Sequence, residues 1–364
     1  MCVALMMAGG CRPQPVTPTV LPEKAQYDEG QKQLKLGNMA QAQASFDTAT
    51  RLNATFAPAY FAEAEIDARS GNVAKALTTL ETLYRAAPQT PHVLCRLAEL
   101  HAISGHFVEG VIASKKALQH EPTCSRAKVQ YSLQLVAANE VENALPILKT
   151  VHQETPENER VTLILVQLLA RQGQLTEAWK VMDTLPARSS LPVQADYLHG
   201  WLLAEYGRDR KRDETQALVS LNRALALSPD DAPVNLEKGK ILLRSGKAHE
   251  AVPLLQKART HSQPNVELLT ALAEAQSQLK NPVAGRMKKS VKEFSALIDR
   301  LYLSRQNYLK TPENRDAMVS LARLEATLGN GKDAEALLTE VLKRDPNDAE
   351  ALKLMTPMGN QSSP

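Results

Sequence analysis

Apolar residues along most of this chain recur at intervals of three and four, in short stripes separated by polar turns. That spacing places them on one face of an α-helix. In PHVLCRLAELHAISGHFVEGVIASKKALQHEP, Val93, Leu94, Leu97, Ala98 and Leu100 line one stripe. Phe107, Val111, Ser114, Ala117 and Leu118 line a second. Gly105 falls where the first helix must stop, because glycine takes the left-handed C-cap conformation without a Cβ clash. Pro122 then blocks the second helix from running on. The pattern predicts two amphipathic helices joined by a tight turn.

This unit repeats. KLGNMAQAQASFDTA carries Gly37, RSGNVAKALTTLETL carries Gly71 and ISGHFVEGVIASKKA carries Gly105, each 34 residues after the last. Asn139 stands in the glycine place of the next unit, and RQGQLTEAWKVMDTL restores it with Gly173. Units start near residues 23, 57, 91, 125, 159 and 193. The register then slips by five residues at GRDRKRDETQ (Gly207 to Gln216) and resumes near 232 and 266. A last unit runs from Arg315 onward. Small residues recur where paired helices must cross closely: Gly30, Ala64, Ala98, Ser132 and Gly239 on first helices, and Ala42, Ala76, Gly110, Ala144, Ala178, Ala217, Ala251 and Ala334 on second helices. A large side chain there would push the axes beyond their usual separation of ~8–10 Å.

These units resemble tetratricopeptide repeats, with Ala49, Ala117, Ala224 and Ala258 at the twenty-seventh place and Pro88, Pro122, Pro156, Pro229 and Pro346 at the thirty-second. The resemblance implies an all-α chain: a right-handed α-solenoid of about eight to nine helix pairs with a capping C-terminal helix. The expected organisation is a signal-like segment at 1–11, a Pro/Thr-rich linker at 12–22, a repeat array over 23–281, an elongated helix and linker over 282–314, a final repeat at 315–348, and a capping helix and tail at 349–364. Ala54, Ser190 and Gln263 replace the closing proline, so looser joints are expected after those units, and LPARSSLP (Leu185 to Pro192) reads as a bend. Met287, Val291, Phe294, Ile298 and Leu301 make a heptad-like stripe. They fit one long helix from Val283 to about Lys310, on the order of 40 Å at 1.5 Å per residue.

Composition narrows the function classes. Apolar residues make up 43% and charged residues 23%, as in a folded chain, and a net charge of +3 gives no global reason to expect nucleic acid as partner. No apolar run reaches the ~18 residues of a spanning helix. GNGKDAE (Gly329 to Glu335) lacks the spacing and the Ser/Thr of a phosphate loop and reads as a repeat turn. Glu140 and Glu142 read as surface charge, and RDRKRDE (Arg208 to Glu214) as an exposed loop. The basic stretch GRMKKSVKE fits a solvated helix face. Of the four cysteines, only Cys95 and Cys124 lie in the repeats, and no metal-ligand spacing appears. With Cys95 on a first helix and Cys124 in a later turn, no disulfide between them is expected. The expectation is therefore a non-enzyme without a cofactor.

The resemblance implies a binding groove along the first helices. Its fifth and ninth places in units four to six supply Val129, Leu133, Leu163, Gln167, Tyr197 and Trp201, and unit seven adds Leu236 and Lys240. Arg126, Arg160 and Arg171 flank this apolar floor. An extended or helical peptide with apolar anchors and acidic neighbours suits such a surface. The same residues also suit plain packing between adjacent repeats. At the N-terminus, ALMMAGGCRPQP resembles a bacterial lipoprotein signal with Cys11 as the acylated residue, followed by an extended tether. The alternative there is a disordered terminus. The leading expectation is a lipid-anchored scaffold of the cell envelope, facing the periplasm or exterior, that binds a protein or peptide and assists assembly of a complex. A cytoplasmic adaptor, or the substrate-presenting subunit of an enzyme complex, are the alternatives.

Overall fold

The computed structural model describes residues 21–359. Cys11 and most of the Pro/Thr-rich linker lie outside the described residues. All regular structure among the described residues is helical. The chain divides into two compact segments, one up to Val93 and one from Leu94 on.

The first segment holds two helix pairs, α1 (Pro22–Lys35) with α2 (Met39–Leu52), and α3 (Ala57–Arg69) with α4 (Val73–Ala86). Each pair is clamped by the small residues read from the sequence. A Cβ placed on Gly30 would lie 2.5 Å from the Phe46 ring, and Ala42 and Ala76 are fully buried. At the turn between α3 and α4, Gly71 takes φ +80°, and the Asn72 amide reaches back to the Asp67 carbonyl at 2.8 Å. That bond ties off a carbonyl at the end of α3 that has no partner within the helix.

The second segment continues the alternation. Its pairs are α5 (Val93–Ile103) and α6 (Phe107–His120), α7 (Ser125–Ala137) and α8 (Val141–Glu154), and α9 (Glu159–Arg171) and α10 (Leu175–Met182). They continue with α11 (Pro192–Tyr206) and α12 (Arg210–Leu227), α13 (Ala232–Arg244) and α14 (Ala248–Thr260), and α15 (Val266–Gln278) and α16 (Ala284–Lys310). A last pair, α17 (Arg315–Thr327) and α18 (Gly331–Arg344), is followed by α19 (Ala349–Gly359). Gly105, Gly173, Gly246 and Gly329 all lie at positive φ between helix partners, while Asn139 (φ 60°) and Lys280 (φ 56°) adopt the same conformation without glycine.

Three expectations need correction. GRDRKRDE is not a loop: α12 begins inside it at Arg210 and is the longest helix before α16. Asp209 caps it, accepting from the Arg212 amide at 3.2 Å, and the buried Asp213 carboxylate accepts from the Asp209 amide at 2.9 Å. Two carboxylates thus hold the first turn, and the extra residues become helix. The joint after the fifth repeat is not loose either. The Glu159 carboxylate accepts from the Ser190 amide at 2.9 Å and from the Ser189 hydroxyl, doing the work of the missing proline. Finally, Cys95 and Cys124 form a disulfide, with Cα atoms 6.6 Å apart. Cys124 is the N-cap of α7, and Cys95 sits in the first turn of α5. The bond sets the residue just before α7 against the opening turn of α5, the first helix of the preceding repeat.

The second segment also folds back on itself. The last turns of α16, with α17 and α18, pack on α6 and the end of α7, joining Leu301, Tyr308, Met318 and Leu338 to Phe107, Val108, Val111 and Ala138 in one core. Arg305 is the hub of this closure. Its guanidinium forms a two-point contact at 2.8 Å with Glu325, which is fully buried. It also lies 4.4 Å from the Phe107 ring centroid and donates to the Ala137 carbonyl at 3.3 Å.

Candidate functional site

Three consecutive first helices, α7, α9 and α11, line an open cavity of about 540 Å³. Its walls are Leu133 of α7, Arg160, Leu163, Ile164 and Gln167 of α9, and Gln194, Tyr197 and Leu198 of α11, with Leu191 at the lip. The period explains the convergence. Residues 160, 163, 164 and 167 are spaced by three, one and three, so they share one face of α9. Leu191 is held by a chain of contacts: its amide donates to the Ser189 hydroxyl oxygen at 3.0 Å, and that hydroxyl donates to Glu159.

Of the eleven groove residues expected from sequence, five line this cavity: Leu133, Arg160, Leu163, Gln167 and Tyr197. Val129 and Trp201 are buried in the packing between repeats, where the Trp201 ring meets Tyr206 edge-on at 5.3 Å. Leu236 packs against the core of the seventh and eighth repeats. Arg126 lies 3.9 Å from Glu99. Lys240 is enclosed by carboxylates, Glu237 at 2.9 Å, Glu205 at 3.1 Å and Glu267 in close contact. Those neighbours hold its pKa above the ordinary lysine value despite burial, which acts the other way. Arg244 extends the cluster to Glu205 and Glu214 at 2.9 and 2.8 Å. At Lys240 the groove is therefore an internal ion network, in which both cations are taken up by carboxylates of the chain itself.

Ile164, Leu191, Gln194 and Leu198 were not among the residues expected from sequence. Leu191 is the N-cap residue of α11, just outside the repeat places from which the groove was read. Electrostatics distinguish the cavity from its surroundings. Arg160 is exposed and makes no ion pair among the described residues, and the same holds for Arg171. Tyr197 has its phenol pKa pushed up, chiefly by burial and then by Glu237 and Glu267, so its hydroxyl stays neutral and can donate. An apolar cavity with one unpaired guanidinium at its edge and two side-chain amides can seat an aliphatic side chain while pairing an adjacent carboxylate.

Successive helix pairs, each joined by a tight turn, define the helical-repeat class. Tetratricopeptide repeat models match residues 27–108, and residues 135–196 with 305–356, together more than half of the chain. The chain belongs to the tetratricopeptide repeat family. No curated protein matches it by sequence. Among solved structures it is similar to the human IFIT1 dimer with m7Gppp-AAAA, at TM-score 0.53 and 14% identity over 87% of this chain and 80% of that one. It is also similar to the APC/C hetero-tetramer Cut9–Hcn1, at TM-score 0.50 and 14% identity over 92% and 63%. PilF of Pseudomonas aeruginosa matches at TM-score 0.47 and 17% identity over 58% and 95%. At these identities the likeness is one of fold.

Proposed function

We propose that this protein is a non-enzymatic scaffold that holds a segment of a protein partner in the cavity between α7, α9 and α11. The segment presents a bulky aliphatic side chain beside an acidic residue. The cavity itself carries this reading: about 540 Å³ of largely apolar space edged by the unpaired Arg160. We further infer an oxidising compartment outside the cytoplasm, because structural disulfides persist there and are rare in a reducing cytosol. The Cys95–Cys124 bond supports this, and it agrees with a lipid anchor at Cys11.

The test is capture of partners from an envelope extract by wild type and by an Arg160→Glu variant, with the intact mass of the native product measured from the same preparation. The expected outcome is a partner retained by wild type and lost by the variant, and a mass that includes acyl chains on Cys11. An identical capture profile for both proteins would remove the groove from the account. An unmodified product in the soluble fraction would remove the anchor.

A further inference from the structure

The fold-back of the last repeat onto α6 has two carboxylates at its centre. Asp333, in the first turn of α18, is 2% exposed and accepts from the Val108 amide at 3.0 Å, and the neighbouring Phe107 amide also favours its ionised form. Those amides belong to the first turn of α6, whose own N-cap, His106, contributes no side-chain hydrogen bond. Asp333 therefore caps α6 from another repeat, 225 residues along the chain. Glu109, also in that first turn, lies within hydrogen-bond reach of Asp333. Its Oε2 atom is buried and meets no donor among the described residues. Two ionised carboxylates cannot bond each other, but a single proton between them makes one a donor and satisfies both.

We propose that the contact of α6 with α18 is a proton-operated clasp, in which one proton shared by Glu109 and Asp333 closes the last repeat onto the third and its loss to solvent lets the two part. The step is a simple dissociation: the Glu109 carboxylic acid releases its proton to water and becomes a second buried carboxylate beside Asp333.

The surroundings place the transition near neutrality. Burial, and then Asp333, push the Glu109 carboxyl up to about 7, while its own backbone amide and Lys332 act against the rise. Burial raises Asp333 as well, opposed by the two α6 amides and by Arg305. The Tyr308 hydroxyl on α16 faces the pair, is raised by burial, and stays neutral. Arg305 is committed to Glu325, and Glu340 and Arg344 on α18 act on Tyr308 from further along that helix. On the α5–α6 side, burial holds His101 down at about 4, and burial and Lys332 lower His106, so both are neutral at pH 7. A carboxyl raised in the closed form favours closure below its open-form value of 4.5, and this gain is lost as pH climbs through about 7. Between pH 5.5 and 8.5 this linkage corresponds to a fall of up to about 30-fold in the closed-to-open ratio.

Hydrogen exchange followed by mass spectrometry tests the clasp on the full chain, using protection factors corrected for intrinsic exchange. The expected result is that peptides of α6 and α18 lose protection by about tenfold or more from pH 5.5 to 8.5, while α9 and α13 do not. Glu109→Gln, whose amide donates to Asp333 at any pH, should stay protected throughout. Asp333→Asn, which removes the like charge by a different route, should flatten the same profile. Equal pH responses in wild type and both variants would overturn the clasp, as would a wild-type α6 whose protection does not change with pH.

Discussion

Asn139 shows what one residue in a repeat turn costs. It holds φ at 60° in the place where other repeats carry glycine, such as Gly173 at 73°. A side chain in the left-handed region costs roughly 1–2 kcal/mol, somewhat less for asparagine. Asn139→Gly is therefore expected to raise stability by about 0.5–1 kcal/mol, read as a higher urea midpoint with an unchanged m-value. Gly239 has the opposite character. It is helical, and a Cβ there would lie 2.7 Å from the Leu255 side chain, so Gly239→Val should destabilise by about 1–3 kcal/mol in the same assay. Both positions are legible in the sequence, because each breaks or keeps a 34-residue period. Asp333 is not. In GNGKDAE it reads as turn polarity, and only the fold-back shows that it caps a helix far earlier in the chain.

At the scale of elements, α16 departs furthest from the repeat. Its stripe of Met287, Val291, Phe294, Ile298 and Leu301 marks a long helix in the sequence, but not what the helix packs against. The partners come from elsewhere in the chain: Phe107 and Ala137 receive Arg305, and Glu325 completes it. No period in a sequence carries a contact between residues so far apart. Glu325 is fully buried and pairs, among the described residues, with this guanidinium alone, so removing that cation leaves an uncompensated charge inside the core. Arg305→Met is expected to cost about 3–5 kcal/mol, and Arg305→Met with Glu325→Leu to recover most of it. Urea denaturation of the two variants and wild type measures both steps. Equal stability for the single and double variants would show that charge burial is not what makes Arg305 important. The start of α12 carries a similar lesson on a shorter scale. Mixed charge in RDRKRDE looks like a solvated loop until Asp209 and Asp213 are seen to hold its first turn.

At the scale of the molecule, periodicity alone conveyed the helical-repeat architecture, since each pair needs a neighbour to bury its apolar face. The groove was legible in part. Repeat places identify Arg160, Leu163, Gln167 and Tyr197 as facing inward, but they do not separate residues that line space from those that fill it. Val129 and Trp201 fill it, and Lys240 is bound by its own carboxylates. That division depends on how closely each first helix approaches the next, which follows from side-chain volumes in three dimensions.

The claim that the cavity between α7, α9 and α11 is a docking site is tested most directly by selecting binders from a random twelve-residue peptide display library against the purified protein. The expected result is enrichment of peptides with a Leu, Ile or Met beside Asp or Glu. Those peptides should bind Arg160→Glu at least about tenfold more weakly than wild type, a difference of about 1.4 kcal/mol. No enrichment over a control protein, or binders indifferent to Arg160→Glu, would contradict it.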